Sequence, residues 1–274
     1  CSLEASSEHS LANAFVKYAR DNKLQLKATS RIEAIKGKGI KGLVDKQEIY
    51  LGNTELLKNL QVEANAVYKV AFEDYASQGK TPIYFVKDQQ VMGVVAVADV
   101  IREQSKQAVA DLQQDIEVYM LTGDHKLTAQ AIAKDLGIKN IIAEVLPDQK
   151  VTKITELQKQ GKIVAFVGDG INDAPALTKA DIGIAVGGGT DIAMESGNIV
   201  LMNSDPTKVI SAINLSKKTF STIKQNLFFA FIYNIIAIPL AALGFLNPMI
   251  AAAAMSLSSV SVVTNSLRIK RAKI

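Results

Sequence analysis

From Gln225 to Leu267 the chain carries no formal charge, and this stretch restricts the available folds more than any other feature. It divides at Asn247-Pro248, a turn dipeptide that helices seldom run through. Each piece, residues 227–246 and 249–267, spans roughly 30 Å as a helix, one hydrocarbon core. A two-residue connection then predicts a tight antiparallel hairpin in lipid. Lys217, Lys218 and Lys224 precede it, and Arg268, Lys270, Arg271 and Lys273 follow. Cations on both flanks place both ends on the cytoplasmic side. A buried soluble hairpin accounts for the apolar content but not for the basic flanks. Tyr233, Asn234, Ser258, Ser259, Thr264 and Asn265 are costly against lipid and require partners on other helices. The hairpin is therefore expected to be an anchor or a piece of a larger membrane domain.

Removing the four terminal cations from the 31 in the chain leaves the rest equal to the 27 acids. No concentrated basic face remains for nucleic acid, so no nucleic-acid partner is expected. An apolar content of 48% against 21% charge excludes a disordered chain. A single cysteine, Cys1, excludes a disulfide framework, and two histidines, His9 and His125, are too few for a histidine cage. Residues 1–10 carry charge and no apolar run, so no secretory signal is expected there.

Between residues 90 and 203 apolar strands alternate with helical spacing. The stretches 91–99, 117–124, 140–146, 163–169, 181–186 and 198–203 read as strands, with helices over 104–114, 125–137 and 149–161. Strands apolar on both faces, interleaved with helices, predict an α/β doubly wound parallel sheet. Residues 1–89 predict a smaller α+β lobe: helices over 6–20 and 63–78, alternating segments over 30–53, and a hairpin over 82–95. The expected domains are 1–90, 91–215 and 216–274.

In such sheets chemistry sits at the carboxyl ends of strands. One strand closes on Thr122-Gly123-Asp124, where a hydroxyl and a backbone amide suit a phosphoryl oxygen. Another closes on VGDGINDAPAL (167–177), in which Asp169 and Asp173, with Asn172 beside them, offer hard oxygens for Mg²⁺. Pro147-Asp148-Gln149-Lys150 follows a third strand and supplies a cation at a helix start. Each tripeptide alone is ordinary turn chemistry; together, in this order, they predict a phosphoryl-transfer site. Gly37, Gly39 and Gly42 spell G-x-G-x-x-G, but the residues that follow alternate like a strand, and a dinucleotide fingerprint needs a helix there.

TGD, PDQK and GDGINDAPAL resemble three motifs of the haloacid dehalogenase-like phosphorylation domain of P-type ATPases, and Asp99 and Arg102 match the hinge motif that precedes them. The resemblance covers essentially the whole chain and is strongest to the copper(I) branch of heavy-metal transporters. It implies ATP and Mg²⁺ as cofactors, an aspartyl-phosphate intermediate, Cu(I) as the transported ion, and a bacterial plasma membrane. Thr122, Gly123, Asp124, Lys150 and Asn172 are implied in catalysis, and Asp169 and Asp173 in Mg²⁺ binding. Glu4, Glu8 and His9 match the motif whose histidine orients adenine, with Ser10 where a proline is expected. Gly37, Gly39 and Ile40 match the glycine loop, and Gly52 and Asn53 a second nucleotide contact. Tyr233 and Asn234 in the first membrane segment, with Met255 and Ser259 in the second, match positions that line the copper site. A thioether suits soft Cu(I), and no charged or histidine ligand of a zinc or cobalt site is present.

The family's phosphorylated DKTGT motif is absent from this sequence, as are the actuator domain and the earlier spans. The chain thus resembles the carboxyl-terminal portion of such a pump, with the amino-terminal portion and a copper chaperone as implied partners, and is expected not to hydrolyse ATP alone. Two alternatives are open: a membrane-anchored phosphatase, which lacks the DxD it would need, and a non-catalytic half-protein or regulatory module that binds nucleotide or a partner chain.

Overall fold

The computed structural model describes residues 1–6, 12–35, 37–99, 101–168, 173–187, 195–203, 205–244 and 247–271. They divide into two units, Cys1–Asp205 and Pro206–Ile274.

The first unit opens with helix α1 (Ala12–Asp21) and an antiparallel sheet, β1 (Thr29–Ile35), β2 (Gly39–Val44), β3 (Gln47–Gly52), β4 (Thr81–Lys87) and β5 (Gln90–Val97), in that spatial order. Helices α2 (Thr54–Leu60) and α3 (Ala66–Ser77) lie between β3 and β4 in sequence. Strand side chains alternate between faces, and both faces are covered. Ile83 packs with Leu3, Phe15, Ile40, Val44 and Leu51 on one face. Tyr84 and Val86 pack with Leu57, Ala64 and Phe72 on the other. The β2–β3 and β4–β5 turns place Asp45-Lys46 and Asp88-Gln89 at positive φ, the tight turn whose twist matches paired strands.

This pairing is the hairpin expected over 82–95, and it corrects a competing expectation. Residues 91–99 were predicted as a strand of the parallel sheet; Gln90–Val97 instead pairs antiparallel with β4, from Thr81↔Val97 to Lys87↔Gln90. The run VMGVVAV is apolar at nearly every position, so periodicity could not choose its sheet. The turn at 88–89 decides it, because closing a two-residue loop costs far less than a long crossover.

The parallel part follows: α4 (Glu103–Leu112), β6 (Tyr119–Leu121), α5 (Lys126–Leu136), β7 (Asn140–Ile142), α6 (Pro147–Lys159), β8 (Ala165–Gly168), α7 (Ala174–Lys179), β9 (Ile182–Val186) and β10 (Ile199–Leu201). Among the described residues these strands form two parallel ladders, β6–β7 and β10–β9–β8, rather than the single sheet expected. Ile154 of α6 packs with Ala176 and Ala180, against Val164 and Phe166. Thr128 of α5, wholly buried, donates to the Lys80 carbonyl at 2.8 Å, and Phe72 meets the His125 ring edge-on at 5.4 Å. These contacts fasten α5 to the antiparallel lobe.

At the amino ends of the ladders Lys162 Nζ donates to Glu117 Oε2 at 2.5 Å and to Tyr119 Oη at 2.7 Å, and Tyr119 Oη donates to Glu117 Oε1 at 2.8 Å. Lys162, then Tyr119, hold the Glu117 carboxyl below its ordinary 4.5, and Glu117 holds Lys162 above 10.5. A depressed carboxyl contributes stability above its unfolded value and loses it as pH falls through the folded one; the raised lysine contributes below its unfolded value. The stability gap between wild type and Glu117→Gln is therefore expected to be full from pH 5 to 10 and to close on acidification below 4.5. Urea denaturation across pH checks this; a gap unchanged at low pH refutes it.

In the second unit α8 (Thr207–Ala242) is one helix of 36 residues, and α9 (Pro248–Leu267) has 20. At 1.5 Å per residue α8 is about 54 Å long, well beyond one hydrocarbon core, so the membrane segment continues a helix that starts far earlier. It is long and apolar enough to cross a membrane. The connection is longer than the expected two residues: Gly244, at φ 76°, lies beyond the end of α8, and Asn247 Oδ1 caps α9 by accepting from Met249 N at 2.9 Å.

Candidate active site

The loops after β6 and β7 are laced through backbone. Thr122 N donates to the Ile142 carbonyl at 3.0 Å, Val145 N to the Thr122 carbonyl at 3.1 Å, and Glu144 N to the Asp124 carbonyl at 3.0 Å. Within the Thr-Gly-Asp turn, Thr122 Oγ1 donates to Asp124 Oδ2 at 2.8 Å and accepts from Asp124 N at 3.1 Å. The threonine hydroxyl is thereby held in one orientation. Gly123 lies so close to this crossing that an added Cβ would stand 3.3 Å from the Val145 carbonyl oxygen.

The second loop runs directly into α6. Gln149 Oε1 accepts from Leu146 N at 3.0 Å, Pro147 takes the first helical position, and Lys150 follows within the first turn. Lys150 Nζ lies 2.6 Å from Asp173 Oδ1, with the two side chains only 17% and 13% exposed. Asp173 stands just before α7, against the last residue of β8: a Cβ on Gly168 would fall 2.8 Å from Asp173 Oδ2. Glycine at 168 leaves that carboxylate the room it occupies. Thr122, Asp124, Lys150 and Asp173 thus come from the carboxyl ends of β6, β7 and β8, where the strand pattern placed them. Asp169 and Asn172 lie outside the described residues.

The glycine loop forms a second cluster. Asn53 N donates to the Lys38 carbonyl at 2.9 Å and its Nδ2 to the Gly37 carbonyl at 3.0 Å, while its Oδ1 accepts from Leu56 N at 3.2 Å. One side chain caps α2 and ties down the loop. Gly39 pairs with Gly52 across β2 and β3. A Cβ on Gly39 would stand 2.0 Å from the Leu51 carbonyl oxygen, and one on Gly52 2.1 Å from that of Lys38. The two glycine motifs are one structure. Ile40 is 4% exposed within the apolar core, so its side chain is not open to a ligand. Glu4 lies 4% exposed in the short turn Glu4–Ser6; Glu8 and His9 lie outside the described residues.

Sequence reasoning missed Leu146. It is half exposed, and its Cδ2 stands 2.9 Å from where a Cβ on Gly37 would be. The glycine loop therefore touches the residue that introduces the helix of Lys150. No local pattern signals this, because the partners are more than a hundred residues apart.

The four membrane candidates are less gathered. Tyr233 Oη lies 3.2 Å from Ser261 Oγ on the facing helix. Asn234 Nδ2 donates to the Ala230 carbonyl at 2.9 Å, and Ser259 Oγ to that of Met255 at 3.3 Å. Asn234 and Ser259 are exposed, and Met255 is 71% exposed, so the hairpin by itself does not enclose them.

Comparison with known proteins bears on the family. A family model described as haloacid dehalogenase-like hydrolase matches residues 2–181. The chain is 47% identical over 272 residues to a copper-exporting P-type ATPase of Staphylococcus aureus (strain MRSA252), covering 99% of this chain and 34% of the relative. A Staphylococcus epidermidis protein of the same description is 47% identical over 274 residues, again covering 34% of its length. The chain thus spans about a third of the curated relatives it matches. Among solved structures, a zinc-transporting PIB-type ATPase in an E2·Pi state aligns with TM-score 0.70 and 31% identity over 98% of this chain and 43% of that one. A catalytic CPx-ATPase domain aligns with TM-score 0.58 and 25% identity over 77% of this chain and 75% of that one. The parallel ladders, the loops at their carboxyl ends and the extent of the matched model together place the chain in the haloacid dehalogenase-like hydrolase family.

Proposed function

We propose that the chain is the carboxyl-terminal portion of an ATP-driven Cu(I) transporter that works through an aspartyl phosphate. One observation supports this reading: the Thr122–Asp124 turn follows β6, the Lys150–Asp173 pair joins the segments that follow β7 and β8, and β6 and β8 are end strands of their two parallel ladders among the described residues. The Lys162–Tyr119–Glu117 bonds span those two strands at the opposite end. A further parallel strand inserted between β6 and β8 would deliver an acceptor aspartate to the cluster. Val167, Ile182 and Val200 are each more than a third exposed, in keeping with strands that await more cover.

In this mechanism the inserted aspartate attacks the γ-phosphorus of ATP, the bond to the β-phosphate oxygen breaks, and ADP leaves. Water then attacks the acyl phosphate, releasing phosphate and restoring the carboxylate. Thr122 Oγ1 and Gly123 N hydrogen-bond the phosphoryl oxygens, Asp124 orients the hydroxyl, and Lys150 offsets the charge that develops. Asp169 and Asp173 would hold Mg²⁺, which neutralises phosphate charge; the cradle that Gly168 leaves around the Asp173 carboxylate fits that role. Gly37, Gly39, Gly52, Asn53 and the Ile40 backbone, with Glu4, Glu8 and His9, receive the nucleoside. Tyr233, Asn234, Met255 and Ser259 contribute to a copper path completed by other helices, and both ends of the hairpin face the cytoplasm. The sulfur of Met255 and the 47% identity to copper exporters favour Cu(I) over the zinc of the structural neighbour.

The chain alone is expected to form no phosphoenzyme with radiolabelled ATP, whereas joined to a preceding segment that bears Asp-Lys-Thr-Gly-Thr it forms one that hydroxylamine cleaves. ATP hydrolysis by residues 1–274 alone, abolished by Asp173→Ala, would overturn this.

A further inference from the structure

The hairpin contains a closed polar circuit that none of these roles uses. Asn265, 6% exposed, donates both amide hydrogens across to α8, to Gln225 Oε1 at 3.1 Å and Asn226 Oδ1 at 2.9 Å. Asn226 returns the bond, its Nδ2 donating to Ser266 Oγ at 2.8 Å, and that hydroxyl donates to the Val262 carbonyl at 2.9 Å. Arg268 Nη1 donates to Asn265 Oδ1 at 3.4 Å. Every amide hydrogen of Asn265 is spent on the other helix, at the end of the hairpin where Lys224 and Arg268 mark the membrane boundary.

In lipid no hydrophobic force draws helices together, since the tails are as apolar as the residues; close packing and interhelical hydrogen bonds set how they meet, and the bonds are the directional part. Sliding α9 by one turn, about 5.4 Å, breaks all three interhelical bonds at once, and in one direction sets Asn265 against Phe229 and Ala230. The remaining polar bridge, Tyr233 to Ser261, lies about two turns further along α8. It is a single bond between two hydroxyls, against three interhelical bonds at the Asn265 end.

We propose that Asn265 is a positioning residue: with Gln225, Asn226 and Ser266 it clamps α9 against α8 in one register, which sets the relative depth of Asn234 on one helix and of Met255 and Ser259 on the other. Only the identity of what is positioned rests on the copper reading; the clamp stands on the bonds themselves. The chemistry is directional. Gln225 serves Asn265 as an acceptor, so Gln225→Glu preserves that bond, whereas Asn265→Asp keeps the shape and loses both donors. A residue that merely fills space would show the opposite tolerance, accepting the near-isosteric aspartate or leucine.

The test uses residues 1–274 in nanodiscs of phosphatidylcholine and phosphatidylglycerol, in a Cys1→Ser background. Spin labels are placed at exposed pairs offset along the helix axis, Leu227 with Leu257 and Leu240 with Val263. Wild type and Gln225→Glu are expected to give one narrow distance for each pair. Because these pairs are offset along the axis, Asn265→Leu and Asn265→Asp are expected to shift or split each distance by about 4 Å, most of the 5.4 Å rise of one helical turn. Unchanged distances in both Asn265 variants overturn the clamp, as does an equal shift in Gln225→Glu. Silver(I) titration of the same samples reads the consequence: a roughly tenfold loss of affinity in Asn265→Leu accompanies the shift, and affinity unchanged despite a shifted register overturns the positioning role. A wild-type chain that binds no silver sinks the metal reading, while the distances still decide the clamp.

Discussion

Replacing Lys150 with methionine is expected to slow phosphoenzyme formation by about a hundred- to a thousandfold in the complemented pump, the cost of deleting one preorganised charge beside a transferring group. The proposed role rests on how the lysine is held. Its ammonium lies 2.6 Å from Asp173 Oδ1 in a pair whose side chains are 17% and 13% exposed. Methionine preserves the length of the stem but leaves the Asp173 carboxylate without its cation in a poorly hydrated corner. That loss should destabilise the unit by about 1–3 kcal/mol, between the small value of exposed pairs and the larger value of buried ones. Stability and catalysis therefore separate in a double-mutant cycle. Asp173→Asn added to Lys150→Met should recover most of the stability and none of the rate, since the charge facing the phosphoryl group stays absent. Lys150→Arg should retain stability better than rate, because a planar fork does not reproduce a point charge. Quench-flow phosphorylation with parallel urea denaturation measures both quantities. A Lys150→Met rate within twofold of wild type would remove Lys150 from the mechanism.

Gly39→Val is expected to disable the nucleotide lobe. The backbone there holds φ 146°, a region that side-chain-bearing residues rarely adopt, and a Cβ would stand 2.0 Å from the Leu51 carbonyl oxygen and 2.6 Å from the Gly52 Cα. Backbone strain of about 1–3 kcal/mol combines with overpacking of similar size. Relief requires β2 and β3 to part where Asn53 binds the Gly37 and Lys38 carbonyls, so the loop moves with them. The expected result is a loss of about 3 kcal/mol or more in stability and at least tenfold in nucleotide affinity. Gly93→Ala is the control: it lies in the same sheet with no atom within 4 Å of an added Cβ, and should leave affinity unchanged. Calorimetry with ATP compares the two. Equal affinities in both variants would show that the glycine loop does not form the nucleotide contact.

Much of this architecture was legible before any tertiary information, and the reason is locality. The uncharged run, the Asn-Pro break and the flanking cations announce a hairpin, because charge and length act residue by residue. Thr-Gly-Asp predicts a turn and Pro-Asp-Gln-Lys a helix start, because a hydroxyl, a glycine and a proline each fix backbone geometry within a few positions. Apolar spacing predicted strands over 140–146, 181–186 and 198–203 and helices over 125–137 and 149–161; the structure has strands at Asn140–Ile142, Ile182–Val186 and Ile199–Leu201 and helices at Lys126–Leu136 and Pro147–Lys159.

What local pattern left open was pairing. The apolar run at 90–97 suits either sheet, and the hairpin turn at 88–89 assigned it to the antiparallel one. Ile40 reads as a loop residue beside a ligand, yet the alternation of β2 turns its side chain into the core with Phe15 and Leu51. The helix that enters the membrane begins at Thr207, some five turns before the charges end, since nothing in lipid chemistry dictates where a helix must start in water.

The sequence by itself determined which segments are apolar, where the chain turns, and which side chains were candidates for phosphate and metal. Only the tertiary structure decided that Lys150 meets Asp173, that Asn53 ties the glycine loop, that Leu146 touches Gly37, and that Asn265 reaches across to Gln225 and Asn226. Those partners lie between 16 and more than a hundred residues apart. Bringing them together depends on strand register and helix packing throughout the unit, which no window of sequence contains.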